Sequence, residues 1–168
     1  MACLPLALPG SPCPPGGERK LTAGETALVR SIFGEAVDCR PVRIRRRRWF
    51  PFQPANVAMA PCGHIHFAGA SDLYRDDFSD APIGMQGLFI HEITHVWQAQ
   101  QRGRWYLPLM RHPFCRYDYA LRPGWTLARY GIEQQAEIVR HVFMLERGWQ
   151  IPGAPPLASY CGILPFSA

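Results

Sequence analysis

Lysine is almost missing from this chain. Lys20 is the only one, so the net charge of +5 is carried by arginine. No apolar run approaches the roughly 20 residues that a bilayer-crossing helix needs, so no membrane partner is expected. The opening Met1-Ala2-Cys3-Leu4-Pro5-Leu6-Ala7-Leu8-Pro9 has no basic start, and its short apolar part is broken by prolines. It reads as a flexible tail and not as a secretory signal. None of the cysteines (Cys3, Cys13, Cys39, Cys62, Cys115, Cys161) forms a Cys-x-x-Cys pair, which argues against a cysteine zinc knuckle. Without a secretory signal their thiols are expected to be mostly free. The expected location is therefore cytoplasmic, or outside the cell by a route that needs no classical signal peptide. Charged residues make up only 18% against 48% hydrophobic, which excludes a disordered chain and fits one globular domain of 168 residues, expected to be a monomer.

Against that background one stretch stands out: His91-Glu92-Ile93-Thr94-His95, set between Gly87-Leu88-Phe89-Ile90 and Val96-Trp97-Gln98. The flanking apolar residues predict a helix, from about Pro82 to Arg102 and ended by Gly103. Ser79 or Asp80 is expected as its N-cap. Four residues apart on a helix, His91 and His95 project from one face, where neutral imidazoles can take two corners of a tetrahedral zinc site. Glu92 stands one step round, where a general base must be to take a proton from a metal-activated water. Phe89, Ile90, Ile93, Val96 and Trp97 are expected to face the core, turning the histidines toward a cleft. The plainer alternative is two histidines satisfied inside a core.

Taken in order, residues 1–20 are dense in proline and glycine and are expected to be a loose tail. Thr22 and Glu25 have capping-box spacing, opening a helix with Leu28, Val29, Ile32 and Phe33 on one face and Gly34 at its end. Pro41 to Arg45 alternates as a half-buried strand, and Asn56–Ala60 and His64–Phe67 read as two more, joined by a turn at Pro61-Cys62-Gly63. His64 and His66 share a strand face and are read as packing or surface residues before metal ligands. Five arginines crowd at Arg43 and Arg45 to Arg48. With no nucleic-acid module around them, a solvated strand edge or an internal ion-pair site is favoured over a nucleic-acid partner. The aromatic, arginine-rich connection from 104 to 123 is long enough to be a rim or lid. A second long helix is predicted from Gly131 to Arg147, closed by Gly148, with Glu133 and Glu137 projecting together. The domain itself is expected to span 21–148, followed by an irregular tail over 149–168.

A zinc site with two histidines wants a third protein donor. The extended form with a third histidine six residues beyond the second fails, because positions 98 and 101 are both glutamine. A glutamate on the second helix remains, and Glu133 and Glu137 both qualify.

His91–His95 followed by Glu133-x-x-Ala136-Glu137 resembles the gluzincin metallopeptidases, whose second helix often reads Glu-x-x-Ala-Asp. That resemblance implies Glu133 as third ligand and Glu137 as the acid that orients a ligand histidine. A glutamate where aspartate is usual leaves room for the two roles to be exchanged. The His-Glu-x-x-His-Val-x-Gln start is further similar to eCIS-core type domains and short bacterial Vgr-related proteins. The Leu21-Thr22-Ala23-Gly24-Glu25 opening and the Tyr74-Arg75-Asp76-Asp77-Phe78 loop resemble the latter as well.

What the resemblance implies is an α+β, zincin-like fold: an N-terminal helix, a small antiparallel or mixed sheet, the motif helix and a second ligand-bearing helix. It implies one Zn2+, a peptide or protein substrate, Glu92 as general base, and Tyr117, Tyr119, Tyr130 or Arg122 as candidate oxyanion or substrate donors. An extended substrate could add to the strand edge at His64–Phe67, and a Cys3 or Cys13 thiolate could cap the metal from the tail. The rival expectation is a non-catalytic, metal-containing accessory or binding module of a secretion-spike (Vgr/Rhs) system.

Overall fold

A computed structural model of the chain describes residues 12–110 and 115–166. Within them the order is β1 (Glu18–Lys20), α1 (Ala23–Phe33), β2 (Arg43–Arg45), β3 (Ile65–His66), α2 (Ile83–Arg102), α3 (Tyr106–Met110) and α4 (Ile132–Glu146), with short 3-10 turns at Leu127–Arg129 and Leu157–Tyr160. The architecture is α+β. Its mixed three-stranded sheet runs β1-β2-β3, with β1 antiparallel to β2 and β2 parallel to β3.

α2 is the axis of the fold and packs chiefly along α4. Its middle, from Phe89 to Val96, is buried on every side. The histidine face is therefore enclosed against α4, and does not look outward across an open cleft as the amphipathic pattern suggests. Close packing of the two helices uses Gly87, where a Cβ would stand 2.7 Å from Met144 Sδ. A stack of Phe67, Phe78 and Phe89, with centroids 5.6 and 5.2 Å apart, ties the end of β3 and the loop before α2 to α2 itself.

Several expected elements change. α2 begins with Pro82 at its N-cap and no side-chain cap, so neither Ser79 nor Asp80 serves. Ser79 Oγ instead donates to Asp77, and Gln86 Nε2 donates to the carbonyls of Ser79 and Ala81, bracing the entry. The two strands expected at 56–60 and 64–67 shrink to β3 and one antiparallel bridge, Met59 to His66. β3 then lies between β2 and Met59, so His64–Phe67 is not a sheet edge: that edge falls at Ala58–Ala60.

The folded body also outgrows the expected domain limits of 21 and 148. Glu18–Lys20 pairs with β2, and Cys13 is fully buried. Tyr160, Ile163 and Leu164 enter the core from the far end, and Phe166 lies against Phe33 and Trp97. Enough apolar side chains stand in both tails to join the core, although neither shows a periodic pattern. The arginine run is spent internally. Arg45 and Arg47 share Glu18, Arg46 donates to the carbonyls of Gly69 and Cys13, and Arg48 donates to Gln53. No helix among the described residues is long and apolar enough to cross a membrane, and Cys13, Cys39, Cys62 and Cys161 are free.

The capping box of α1 forms as its spacing predicts, with Thr22 Oγ1 accepting from Glu25 N and Glu25 accepting from Thr22 N. Glu25 does more. Fully buried, it takes both terminal nitrogens of Arg19 at 2.8 Å and the Phe78 N–H at 3.0 Å. One carboxylate thus joins β1, α1 and the loop before α2. Removing one partner of a buried pair strands the other charge, so Glu25→Ala is expected to cost about 3–5 kcal/mol. Urea unfolding checks this. A loss under about 1 kcal/mol would mean that water reaches Arg19.

Candidate metal centre

Helical spacing brings His91 and His95 together on α2, and α4 brings Glu133 up to them. His95 Nε2 lies 3.2 Å from His91 Nε2 and 3.1 Å from Glu133 Oε2, and His91 Nε2 lies 3.3 Å from the same oxygen. All three side chains are buried, and Glu133 has no exposed surface at all. A solvated acidic face on α4 is thereby replaced by an internal carboxylate.

The outer ring nitrogens decide what the inner ones can be. His95 Nδ1 is 2.8 Å from Gln98 Oε1. Gln98 Nε2 donates to the carbonyl of Ile132 and to Gln135 Oε1, so Oε1 must be the amide's acceptor and His95 Nδ1 must carry hydrogen. His91 Nδ1 is 2.8 Å from Glu137 Oε1, an ion-pair distance without the alignment of a hydrogen bond, and a proton on Nδ1 is what that carboxylate favours. Neutral rings protonated at Nδ1 leave both Nε2 atoms as lone pairs, pointing at each other and at a carboxylate. Three acceptors converge with no hydrogen among them. That arrangement calls for a cation.

Geometry fits the demand. Ligands of a tetrahedral zinc with bonds of ~2.0–2.1 Å lie about 3.3 Å from one another, and the edges here are 3.1, 3.2 and 3.3 Å. In the metal-free chain a proton can stand in. Burial alone would lower the His91 pKa, but hydrogen bonds to Glu133 and Glu137 and the charge of Glu92 carry it up to about 9. Burial likewise pushes the Glu137 pKa up, yet the hydrogen bond and charge of His91, with Arg140 and His141 behind, hold it below the usual carboxylate range.

Glu92 is 4% exposed, and its Oε2 is buried with no hydrogen-bond partner among the described residues. A bare carboxylate oxygen beside a cation-shaped site is costly unless something polar visits it.

The four candidate substrate donors separate. Tyr117 stacks on the His91 ring, with centroids 6.2 Å apart and planes 15° from parallel. Tyr130 shares a cavity wall with Glu133 but accepts the Arg122 N–H at its hydroxyl. Tyr119 is bonded to His141 and Tyr160, one step behind Glu137. Arg122 lies over the Trp125 ring. Only Tyr117 is brought against the histidine pair. Among the described residues His64 and His66 join no metal-sized group, and burial and Arg45 lower the pKa of His66 to about 4. Cys13 is fixed elsewhere in the core, its N–H donated to Asp76, and Cys3 lies outside the described residues.

Gln98 and Gln135 were not singled out by sequence reading. A polar residue three positions past His95, where apolar packing would be usual, was the available signal. A cavity of about 440 Å3 opens on this side, lined by Gln98, Arg102, Tyr106, Tyr130 and Glu133 among others. The long connection lines it through Tyr106, Met110, Cys115 and Arg116.

Comparison with known proteins points to VgrG2b in both sequence and structure. No family model matches the chain. It is 41% identical over 133 residues, 75% of its length, to the type VI secretion system spike protein VgrG2b of Pseudomonas aeruginosa. The match occupies 13% of that protein, so the chain corresponds to a small part of it. Among solved structures, the effector domain of Pseudomonas aeruginosa VgrG2b aligns at a TM-score of 0.69 and 36% identity, covering 94% of this chain and 89% of that one.

Two outcomes are expected for metal binding. Gln98→Leu removes the acceptor from His95 Nδ1 and should weaken zinc affinity about 10- to 100-fold, measured by competition with a chelator. A raised His91 pKa stabilises the metal-free chain fully below about 6.5, and that contribution is lost as pH rises through about 9. Metal must displace the same proton, so apparent zinc affinity should strengthen by roughly tenfold per pH unit across that window. A pH-independent affinity would contradict the assignment.

Proposed function

This chain belongs to the family of the VgrG2b effector domain, and on that premise we propose that it is a zinc-dependent peptidase with a zincin-like active site. The observation that carries this reading is the convergence of His91 Nε2, His95 Nε2 and Glu133 Oε2 beside the unpartnered Glu92 oxygen. His91, His95 and Glu133 would hold the ion, with Glu137 and Gln98 fixing the two rings. When bound, zinc would acidify a water and polarise a substrate carbonyl.

The remaining chemistry belongs to the protein. Glu92 would take the proton from the attacking water, and the resulting carboxylic acid would return it to the leaving amine. Glu137 balances the charge on His91 and keeps its Nδ1 protonated through the cycle. Tyr117, stacked on His91, is the best placed of the tyrosines to donate to a developing oxyanion. Burial of His91, Glu92, His95 and Glu133 strengthens their interactions over the values in water.

The name of the relative supports a second element of the proposal. VgrG2b is a type VI secretion spike protein, and a domain of its effector family is expected to leave the cell with such a spike and to act on a peptide or protein target. The competing reading is an accessory module whose metal is purely structural. Glu92 argues against it, because a structural site needs its ligands but not a buried, unpartnered carboxylate beside them.

The test is metal content and peptide hydrolysis of wild type, Glu92→Gln and Glu133→Gln. Wild type should bind about one zinc per chain and cleave unstructured protein substrates. Glu92→Gln should keep the zinc and lose roughly 10²-fold or more of the activity, whereas Glu133→Gln should lose the zinc. Zinc retained with no hydrolysis of any substrate would favour the accessory module.

A further inference from the structure

Beside the last turn of α2 lies another cavity, of about 390 Å3, which shares no lining residue with the one at Glu133. Arg45, Trp49, Cys62, His64 and Arg104 stand in its walls, and no carboxylate lines it. A smaller apolar hole of about 230 Å3 against His95 shares only Trp49 with it.

Strand alternation explains the gathering. Ile44 and Ile65 are register partners in the parallel pair, and both are fully buried. Arg45 and His64, each one residue along, are thereby turned to the opposite face of the sheet. Gly103, at φ 96°, ends α2 and turns Arg104 into the same cavity.

The charges here are out of balance. Arg104 has no carboxylate partner among the described residues and lies over the Trp105 ring, 5.0 Å from its centroid. Arg45 has one such partner, Glu18 at 3.1 Å, and shares it with Arg47. Burial raises the pKa of the Cys62 thiol against the pull of Arg104 and Arg45. Burial, with Arg45, Arg43 and Arg104, lowers that of His64 against Glu18 alone. Both guanidinium groups of the cavity therefore bear on one spot. The last turn of α2 brings about half a negative charge to this wall, which the full charge of Arg104 outweighs.

His64 is neutral at pH 7, and its Nδ1 is buried with no hydrogen-bond partner among the described residues. A buried nitrogen left bare is costly, so the site is shaped for a partner. Gln100, the other polar wall, is spent on Asp38, accepting from its N–H and donating to its carbonyl. A neutral imidazole can donate from Nδ1, and the partner that suits it together with two guanidinium groups is an oxyanion. A bare ion would leave most of the cavity unfilled, since its volume falls in the range of roughly 300–1,000 Å3 typical of small-molecule sites. Trp49 walls the remainder. Its indole crosses the His66 ring at 70°, and the residue is 39% exposed.

The geometry points to this cavity as a binding site for a phosphate monoester of mononucleotide size. Arg45 and Arg104 take the phosphate oxygens through their planar forks, and His64 Nδ1 donates to one of them. The base packs on Trp49. Ala99 places the site one helical turn beyond His95, yet none of the residues assigned to the metal lines it. It stands whether or not the metal centre hydrolyses peptides.

Calorimetric titration of the whole chain with adenosine monophosphate, inorganic phosphate and adenosine tests the assignment. The nucleotide should bind at one site per chain, roughly tenfold or more tighter than adenosine, which lacks the charge, or phosphate, which lacks the base. Arg104→Gln and His64→Phe should each weaken the nucleotide by roughly 10- to 100-fold, the range of one lost charge-assisted hydrogen bond. Zinc content should stay at that of wild type in both, which shows that the fold is kept. Trp49→Leu should erase the advantage of nucleotide over phosphate and leave phosphate binding in place. Equal affinity for nucleotide and adenosine, or no binding at millimolar nucleotide, overturns the site. So does binding that survives both Arg104→Gln and His64→Phe, as it would if the nucleotide sat on the metal. Phosphate bound as tightly as the nucleotide overturns the ligand assigned to it.

Discussion

Two imidazole lone pairs and a carboxylate oxygen held within 3.3 Å of each other repel unless positive charge lies between them. In water they would turn away. Here they cannot, because both histidines are locked from behind, His95 by the Gln98 amide and His91 by Glu137. Gln98 is itself locked through Ile132 and Gln135, so its orientation depends on α4 sitting where it does. Close helix packing at Gly87 against Met144 sets that position. The core of the molecule is thus an apparatus for holding three acceptors in contact, and the raised pKa of His91 is the same repulsion relieved by a proton.

This arrangement explains why the region around α2 is so thoroughly packed. Exposed histidines could swing apart, whereas buried ones on a rigid helix retain the separation a small cation requires. Access has to come from the sides. The larger cavity reaches Glu133 along a partly polar wall, and the smaller reaches His95 along an apolar one. The chain is kin to the VgrG2b effector domain, and the proposal of hydrolysis rests on the chemistry of the centre.

Local signals in the sequence carried much of this. The Thr22–Glu25 box and both long helices follow from spacing within single helices, the most legible kind of information in a chain, whereas the choice of Glu133 came from the family resemblance alone. What escaped was set by partners distant in sequence. β1 is three residues long and exists because β2 offers it a register, so a segment that composition marked as loose tail is sheet. Likewise Tyr160, Ile163 and Leu164 carry no period, yet the core has room for them. His64–Phe67 lost its place at the sheet edge because β3 has β2 in parallel on one side and the Met59 bridge on the other, a choice no local pattern announces. Gln98 was seen only as a break in the extended motif and as part of the His-Val-x-Gln resemblance. Its role depends on Gln135 and Ile132, on another helix.

The most direct test of the central claim is the protonation pattern of the two rings. Long-range proton–nitrogen NMR of the zinc-loaded protein, with the signals assigned through His91→Asn and His95→Asn, reads each ring nitrogen separately. The account requires hydrogen at Nδ1 of both histidines, with both Nε2 atoms shifted as metal-bound donors. A ring protonated at Nε2, or rings unchanged by zinc, would mean that His91, His95 and Glu133 do not form a cation site.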